Sequence, residues 1–493
     1  MIFNSVSYLI FFPIVVLLYF ALPYKLRNVW LLVVSYYFYM NWNAKYALLL
    51  AGSTLITFIC SLMVSHFQEK EKQALAKCAM AGSFLINLGI LFIFKYNNFF
   101  AENINRLMEA IGQGTRISAF DIVLPVGISF YIFQALSYTM DVYRGQVKAT
   151  KNLLRYALFV SFFPQLVAGP IERSQNLLSQ FDEKHNFDID RIRSGLLTML
   201  WGLFMKIVIA DNLSGIVTKV YDNYLEYTGV EILLATALFA FQIYCDFGGY
   251  SAIAIGSARV LGFRLMENFK CPYLAISVDD FWKRWHISLT SWFRDYLYIP
   301  LGGNRKGTAR KYMNIMIIFL VSGLWHGANW TYVVWGGING LYLVIEQISE
   351  PLRRRMRDFF HVDVSRFSYR FFAGLWTFIL VDFSWMFFRA ENFSQVFGML
   401  RQTKANFGLT KIFGGAVAGW GLDEASLLIL VFAFILLFFV DLCKYRGINL
   451  NKKILMQGAP LRYMIYLILL FVIMFFGVYG YEYAQTAFIY FQF

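Results

Sequence analysis

Charged residues are scarce in this sequence of 493 residues, and that scarcity limits what kind of protein it can be. They make up 15% of the chain, whereas hydrophobic residues make up 59%. An ordinary soluble domain is about 25% charged, because it needs a polar surface to cover its core. The composition therefore excludes a soluble globular protein. Tracts of roughly 20 apolar residues, which suffice to cross a bilayer, recur along the chain.

The sequence also lacks the motifs of several common enzyme and metal sites. Its five cysteines include no CxxC spacing, so we expect neither a disulfide framework nor a zinc site, and no other metal site. Walker, HExxH, Rossmann and serine-nucleophile motifs are absent as well. Candidate chemistry therefore rests on ionisable residues in or beside the apolar tracts.

The apolar tracts predict an all-α protein, a polytopic transmembrane helical bundle of roughly 11 to 13 spans. We expect a single domain over residues 1–493. Its N-terminal helices occupy 1–115, a core with the main histidine motifs occupies 116–350, and further helices occupy 351–493. The predicted spans are 6–23, 28–42, 46–65, 78–95, 120–140, 153–170, 194–215, 230–260, 312–328, 330–348, 370–389, 424–442 and 462–482.

Two stretches do not fit simple spans. Residues 96–119 have a mixed composition and are predicted to form an amphipathic helix along the membrane interface. Residues 263–311 are too charged to cross lipid and too aromatic for a free loop, so we expect short helices and turns there. Counting spans strictly would place 263–311 outside the cell, so the tract 230–260 is predicted to hide an extra turn.

Positive charge is concentrated in short loops between the apolar tracts, and the net charge is +14. Such loops are typical of the cytoplasmic side, beside anionic lipid headgroups, and they do not indicate nucleic-acid binding. Lys25 and Arg27 follow the first tract and no basic residue precedes it, which predicts an uncleaved first span with its N-terminus outside. The loops at 66–77, 144–152 and 351–358 should then be cytoplasmic.

His326 is the most informative of the five histidines. It lies in VSGLWHGANW, directly after the largely apolar run 313–321. A histidine at membrane depth is costly and normally faces a cavity or a polar partner. Gly323 and Gly327 on either side permit close approach of backbone or substrate. The pattern predicts a functional histidine; the alternative is a packed, hydrogen-bonded structural one.

His286 is the second candidate and lies in FWKRWHISLTSWFRDYLYIPLGGNRKG, residues 281–307. Cations at Lys283, Arg284 and Arg294 would lower its pKa and keep it neutral, which suits a base or a hydrogen-bonding group. The aromatic residues would wall an acyl or adenine-bearing donor, and the cations would meet phosphates. The alternative is interfacial anchoring, in which the aromatic and basic residues only fix the depth of the segment.

Two acidic residues stand inside or at the end of apolar tracts. Asp141 follows FYIFQALSYTM, and Asp246 lies in QIYCDFGGYS. Each would cost roughly 2.5–3.5 kcal/mol at a bilayer centre, so each should have a partner, with Arg144 or Arg173 available to Asp141. Both a polar lock between helices and a catalytic role remain open for them.

The sequence resembles the membrane-bound O-acyltransferase family, in particular its bacterial branch of alginate O-acetylation membrane proteins. The resemblance lies in DFWKRWHISLTSWFRDYLYIPLGGNRKG and SGLWHGANWTYVVWGGINGLYLVIE and extends from residue 1 to about 350. It implies a helical bundle around a funnel or tunnel, with His326 essential near its middle and His286 second. One departure is Ala252, where an acidic residue is expected after Gly-Tyr-Ser, which leaves Asp246 as the nearby acid.

The resemblance also implies a reaction, in which an acetyl or short acyl group is moved to sugar hydroxyls of an exported or cell-envelope polysaccharide. A cytoplasmic thioester such as acetyl-CoA would be the donor substrate, with no bound cofactor. His326 would act as general base or assist acyl transfer along the tunnel, and His286 would orient the donor or stabilise the oxyanion. Tentative donor or substrate contacts are Lys283, Arg284, Trp285, Arg294, Asp295, Arg305, Trp325 and Asn329.

The expected location is the bacterial cytoplasmic (inner) membrane, and a partner outside it is expected to complete the reaction. No extramembrane segment reaches the length of about 50 residues that a domain needs to hold a polymer. We therefore expect an extracytoplasmic SGNH-hydrolase-like acyltransferase as partner and the polysaccharide as acceptor. The alternatives are a D-alanyl, lipid or protein acyltransferase of the same family, and a transporter or flippase, which would leave two histidines in tryptophan-rich motifs unexplained.

Overall fold

The computed structural model describes residues 1–113, 116–120, 123–412, 420 and 424–478. Regular structure within these ranges is helical and includes no strand, which confirms the predicted all-α class. Pro272–Leu274, Tyr224–Glu226 and Leu409–Ile412 form 3₁₀ turns, and Phe92–Tyr96, Phe204–Ala210 and Arg294–Tyr298 form π-helical turns. The α-helices are α1 Val6–Ala21, α2 Tyr24–Met40, α3 Lys45–Glu69, α4 Gln73–Leu91, α5 Asn97–Ala110, α6 Ile128–Tyr143, α7 Leu153–Ser161, α8 Phe163–Leu166, α9 Ser174–Gln180, α10 Ile189–Leu203, α11 Asp211–Asp222, α12 Gly229–Leu261, α13 Val278–Trp282, α14 Ile287–Phe293, α15 Thr308–His326, α16 Trp330–Phe359, α17 Phe367–Arg389, α18 Phe393–Ala405, α19 Glu424–Tyr445, α20 Leu450–Leu455 and α21 Ala459–Phe476.

Several of these helices have the dimensions of membrane spans. In the described ranges, seven are long and apolar enough to cross a bilayer, and α1 is a shorter apolar helix. The polytopic character predicted from hydropathy is thereby confirmed. The seven are Lys45–Glu69, Gln73–Ala110, Ile189–Asp222, Gly229–Leu261, Phe367–Arg389, Glu424–Tyr445 and Ala459–Phe476.

The structure of the tract 230–260 contradicts one prediction made from the sequence. It was expected to hide an extra turn, but it lies within one uninterrupted helix of 33 residues, α12. Gly249, which could have broken the helix, instead permits close packing: an added Cβ there would lie 2.6 Å from the carbonyl oxygen of Gly202. The glycine therefore serves contact between helices and leaves the helix intact.

Two predicted spans are shorter or broken in the structure. In the tract 153–170, α7 ends at Ser161 and Pro164 lies in the first turn of α8, where its missing N–H costs nothing. In the tract 120–140, helix α6 begins only at Ile128, after Gly127 in the left-handed region with φ 74°. Both differences follow from local backbone chemistry that hydropathy does not record.

Residues 263–311 have the irregular structure predicted for them. The described segment contains α13, α14, one 3₁₀ turn and one π-helical turn, joined by bends and turns. Residues 96–119 contain α5, which continues from α4 through the π-helical turn Phe92–Tyr96. Residues 114 and 115 of that stretch lie outside the described residues.

The chain divides into two compact units. The first contains Met1–Met199 and Ile253–Met266, and the second contains Leu200–Ala252 and the chain from Glu267 onwards. Both predicted catalytic histidines, and the tryptophan-rich segments that carry them, belong to the second unit. The candidate site is therefore built within that unit alone.

Candidate active site

The second unit brings the two predicted catalytic histidines together. His286 and His326 stand 40 positions apart in the sequence, yet their ring centroids are 6.3 Å apart. Their exposed fractions are 1% and 3%, so both rings are removed from bulk solvent. The two imidazoles are therefore close enough for both to contact one small reacting group.

His326 is held at the end of a closely packed helical hairpin. It is the last residue of α15, and α16 begins four residues later at Trp330. The helices touch through glycine: a Cβ added to Gly323 would overlap the carbonyl oxygen of Tyr332, and one added to Gly336 would overlap that of Phe319. The sequence GLWHG thus lets two backbones approach and sets the position of the histidine at the turn.

His286 is held by an unusual backbone conformation and by one asparagine. It precedes α14 in the left-handed region, with φ 44° and ψ 51°. The next two residues donate their backbone N–H groups to Asn268, from Ile287 to the carbonyl oxygen at 3.0 Å and from Ser288 to Oδ1 at 3.3 Å. Asn268 Oδ1 also lies 3.2 Å from His286 Nδ1. Asn268, which sequence reasoning missed, therefore contacts both the backbone beside His286 and its ring.

Aromatic rings surround the histidine pair. His326 lies edge-on to Trp335 and Phe388, at centroid distances of 5.1 and 5.4 Å. His286 lies edge-on to Phe247 at 4.7 Å, and its centroid is 6.0 Å from that of Trp325. Such walls exclude water and strengthen polar interactions inside the site.

Two of the predicted contact residues, Trp285 and Trp325, are part of this aromatic cluster. Trp325 precedes His326 and has a ring-centroid distance of 5.0 Å to it. Trp285 lies 5.0 Å from Trp385, which in turn stacks on Trp335 at 5.5 Å. Trp385, which the sequence analysis did not select, thus connects the second histidine motif to the first.

Lys283 and Arg284 lie beside carboxylates on the same short helix or its end. Lys283 pairs with Asp279, and that hydrogen bond raises the pKa of the lysine ammonium above its usual value. Arg284 Nε donates to Asp280 Oδ1 at 2.7 Å, and its guanidinium lies 5.1 Å from the centroid of the Tyr445 ring. Both cations are thus already partly neutralised by neighbouring carboxylates.

The remaining predicted contacts have mostly local partners. Arg294 pairs with the adjacent Asp295 at 2.8 Å, and this hydrogen bond raises the pKa of the guanidinium. Arg305 is exposed. Asn329 caps the N-terminus of α16, where its side chain accepts from Thr331 N, and it donates to the Glu391 carbonyl at 2.8 Å. Asn329 therefore has a structural role as the cap of α16, which accounts for its place in the motif.

The two predicted membrane acids both have partners in their own units. In the second unit, Asp246 forms an ion pair with Lys206, which also bonds Asp211 at 2.8 Å. In the first unit, Ser174 Oγ donates to Asp141 Oδ2 at 3.2 Å. Lys206 and Asp211 were missed from sequence, although a lysine inside the apolar tract 194–215 carries the same signal that selected Asp246.

The fold and the site define a class: an integral membrane protein with a candidate active site among its helices. Comparison with known families agrees. The model of MBOAT, the membrane-bound O-acyltransferase family, matches residues 146–388, which include His286 and His326. The chain belongs to this family, and it is an O-acyltransferase with several spans in the bacterial inner membrane.

Individual proteins are similar over most of the chain. A protein named "Probable alginate O-acetylase AlgI" from Pseudomonas putida is 41% identical over 80% of this chain and 78% of its own length. A protein of the same name from Azotobacter vinelandii is 37% identical, over 93% and 87% respectively. The peptidoglycan O-acetyltransferase of Helicobacter pylori is 33% identical over 79% and 77%. The similarity therefore extends well beyond the two histidine motifs.

Proposed function

We propose that this O-acyltransferase moves an acetyl group from a cytoplasmic thioester to hydroxyl groups of an exported or cell-envelope polysaccharide such as alginate or peptidoglycan. The observation that carries the proposal is the buried pair His286 and His326, with ring centroids 6.3 Å apart inside an aromatic wall. The names of the similar proteins, which act on alginate and on peptidoglycan, support the choice of acceptor.

The reaction needs one base and one path for a proton. The hydroxyl oxygen attacks the thioester carbon, a C–O bond forms and the C–S bond breaks. His326 takes the hydroxyl proton and passes it to the departing thiolate, so that the products are an ester and a thiol. General-base assistance of this kind contributes typically about 10²–10⁴-fold to the rate. The surrounding rings of Trp325, Trp335 and Phe388 support this role because they keep water from hydrolysing the acyl group.

The donor is a diffusible acyl-thioester substrate, acetyl-CoA or another thioester. Its apolar acyl end suits the aromatic wall, and its phosphate groups suit the cations on and after α13. Lys283 and Arg284 would exchange their present carboxylate partners for phosphates, which arginine in particular binds through two parallel hydrogen bonds. Arg294 and Arg305 are exposed further along the same segment and would extend this contact.

The proposal is tested first by mass spectrometry of the cell-envelope glycans, with and without the gene. We expect O-acetyl groups on a polysaccharide to disappear with the gene and to return on complementation. Unchanged glycan acetylation combined with a loss of D-alanyl, lipid or protein acylation would contradict the proposal. It would favour a D-alanyl, lipid or protein acyltransferase of the same family instead.

A second measurement tests the enzymatic step itself. The purified protein without acceptor should slowly hydrolyse an acyl-thioester, because water can replace the hydroxyl nucleophile. Hydrolysis should fall to background in the His326→Ala variant at equal protein concentration. Complete absence of hydrolysis in the parent protein, together with transport of an acylated solute into liposomes, would overturn the proposed function.

A further inference from the structure

The side-chain amide of Asn268 has an orientation that its partners dictate. The backbone N–H of Ser288, which can only donate, lies 3.3 Å from Oδ1, and Ser288 Oγ donates to the same oxygen at 2.9 Å. On the other side, Asn268 Nδ2 donates to Ser251 Oγ at 3.3 Å. A flipped amide would face the Ser288 N–H with a second donor, so the oxygen must point towards Ser288 and His286.

This orientation determines which nitrogen of His286 carries the proton. The atom facing His286 Nδ1, at 3.2 Å, is the acceptor Oδ1, so Nδ1 must donate. The ring is 1% exposed among aromatic neighbours, which disfavours the charged imidazolium. A neutral imidazole with its proton on Nδ1 has a lone pair on Nε2.

We infer that Asn268 is a positioning residue that holds His286 in its Nδ1–H tautomer, so that Nε2 takes part in the transfer reaction as a hydrogen-bond acceptor. The inference deepens the proposed function, on which its relevance to acyl transfer rests. The sequence leaves two roles open for His286, and this inference keeps the first, orientation of a substrate. It rules out the second, stabilisation of an oxyanion through Nε2, because an unprotonated nitrogen cannot donate a hydrogen bond to a negative oxygen.

The backbone conformation at His286 also indicates that the surrounding residues hold it in place. A non-glycine residue in the left-handed region is strained and persists only where the surroundings enforce it. Asn268 enforces it through its main chain, which accepts from Ile287 N at 3.0 Å, while its side chain holds Ser288 and the imidazole. One residue therefore fixes both the strained turn and the ring that the turn presents.

Helix α12 fixes the same ring from a second direction. Phe247 meets the imidazole edge-on at 4.7 Å, and Ser251, one turn later, receives the hydrogen bond from Asn268. Both residues lie on the face of one continuous helix, so the ring and its asparagine partner share a rigid support. A substrate O–H or N–H would thus meet Nε2 at a defined position, as orientation of a reacting group requires.

The tautomer is measurable without any turnover. The protein is labelled with ¹⁵N-histidine, reconstituted in liposomes and studied by solid-state NMR; only five histidines contribute, and the His286→Gln variant assigns the signal. We expect a protonated Nδ1 and an unprotonated Nε2 for His286. An Nε2–H tautomer or an imidazolium would overturn the inference even if acyl transfer were normal, whereas failure of the proposed function would leave the spectrum as expected.

Variants of Asn268 test its positioning role. Asn268→Leu removes the acceptor and should lose the Nδ1–H preference and lower kcat by about 10–100-fold, the size of loss seen when the hydrogen-bond partner of a metal-ligating histidine is removed. Asn268→Asp keeps an acceptor oxygen and should retain the Nδ1–H signal and recover part of kcat. The control Ser251→Ala changes only the donor side of the amide and should leave the Nδ1–H signal in place. An unaltered tautomer and kcat in folded Asn268→Leu would contradict the role.

Discussion

At the scale of single residues, His326 is the group on which acyl transfer should depend most. It ends α15 inside the aromatic wall, where its removal leaves the hairpin contacts between Gly323, Gly336 and their partners intact. We expect His326→Ala to insert normally and to reduce acyl transfer by at least about 10²-fold, because a general base is lost. His286→Ala should impair transfer less, since an orienting group is easier to replace than a base.

The measurement is glycan acetylation by mass spectrometry, normalised to the amount of protein in the membrane. His361→Ala is a suitable control, because that histidine lies in an exposed turn after α16. Near-normal acetylation in His326→Ala would refute the assignment of the base.

The buried carboxyl of Glu172 should make the free energy of unfolding depend on pH. It lies between α8 and α9, where its Oε2 accepts from Asn176 at 2.6 Å and its Oε1 from the backbone N–H of Met266. Burial raises the pKa of its carboxyl to about 7. The folded state therefore holds a proton that the unfolded state has already lost, and the free energy of unfolding should fall as pH rises from about 4.5 to about 7. The slope is at most about 1.4 kcal/mol per pH unit for one group.

This contribution of Glu172 can be isolated by thermal unfolding in detergent across that pH range. Glu172→Gln cannot ionise, so its melting temperature should decline less than that of the parent protein between pH 5 and pH 8. Parallel curves for the two proteins would show that Glu172 does not titrate in this window.

At the scale of elements, the α15–α16 hairpin should be intolerant of side chains at its contact glycines. A Cβ at Gly336 would overlap the Phe319 carbonyl oxygen, so Gly336→Ala should force the helices apart and displace His326. The matched control is Gly337→Ala, whose Cβ would meet only Leu320 Cδ2 at 3.4 Å, an ordinary contact. We expect a lower melting temperature and reduced transfer for the first variant and near-parent behaviour for the second.

Similar losses in the Gly336 and Gly337 variants would contradict the assignment of the effect to the close contact at Gly336. Alanine is favoured over glycine in a helix by up to about 1 kcal/mol, so propensity alone would stabilise both variants. A loss confined to Gly336→Ala is therefore a specific sign of the close contact.

The buried ion pairs of Lys206 with Asp211 and Asp246 also hold helical elements together. All three side chains are no more than 4% exposed, and the cluster joins the π-helical turn after α10 to α12. Removing the lysine would leave two buried carboxylates, and breaking a buried pair typically costs 3–5 kcal/mol. We expect Lys206→Met to abolish accumulation of folded protein.

Two further variants make the test of this cluster specific. Lys219→Met alters an exposed lysine of α11 and should be tolerated. Combining Lys206→Met with Asp211→Asn and Asp246→Asn removes the charges together and should restore accumulation, if not activity. A stable Lys206→Met protein without these changes would contradict a structural role for the ion pairs.

At the scale of the whole molecule, the protein is expected to need a partner. In the proposed reaction the thioester is made in the cytoplasm and the polymer is modified outside, so about 30 Å of hydrocarbon separates them. The described chain is built of helices and short connections, and none of these connections reaches the length of about 50 residues that a polymer-binding domain needs. An extracytoplasmic SGNH-hydrolase-like acyltransferase would supply that function.

Reconstitution in liposomes tests this expectation. With acyl-thioester inside and polysaccharide outside, the purified protein alone should acylate the polymer poorly, and addition of the partner outside should raise the rate. Efficient acylation by the single protein would overturn the partner hypothesis while leaving the transferase assignment intact.

Hydropathy, the distribution of charge and the histidine motifs can be read from the sequence alone. Membrane spanning depends on the composition of successive stretches, so the all-α class and the polytopic character could be predicted from local tracts. His326 was selected because it follows an apolar run, where an ionisable residue is costly, and His286 because it lies among cations and aromatic residues. The irregular form of 263–311 also followed from composition alone, because its charges cannot cross lipid.

Only the tertiary structure decided which distant residues meet. The 6.3 Å between His286 and His326, the hydrogen bonds of Asn268 to His286 and its neighbours, and the pairing of Lys206 with Asp246 join positions 18 to 40 residues apart. The extra turn predicted in 230–260 came from counting spans and was wrong, because the helix continues past Gly249, whose neighbours in the fold no local pattern records. Such contacts arise from how helices pack, and local pattern in a sequence carries no record of that packing.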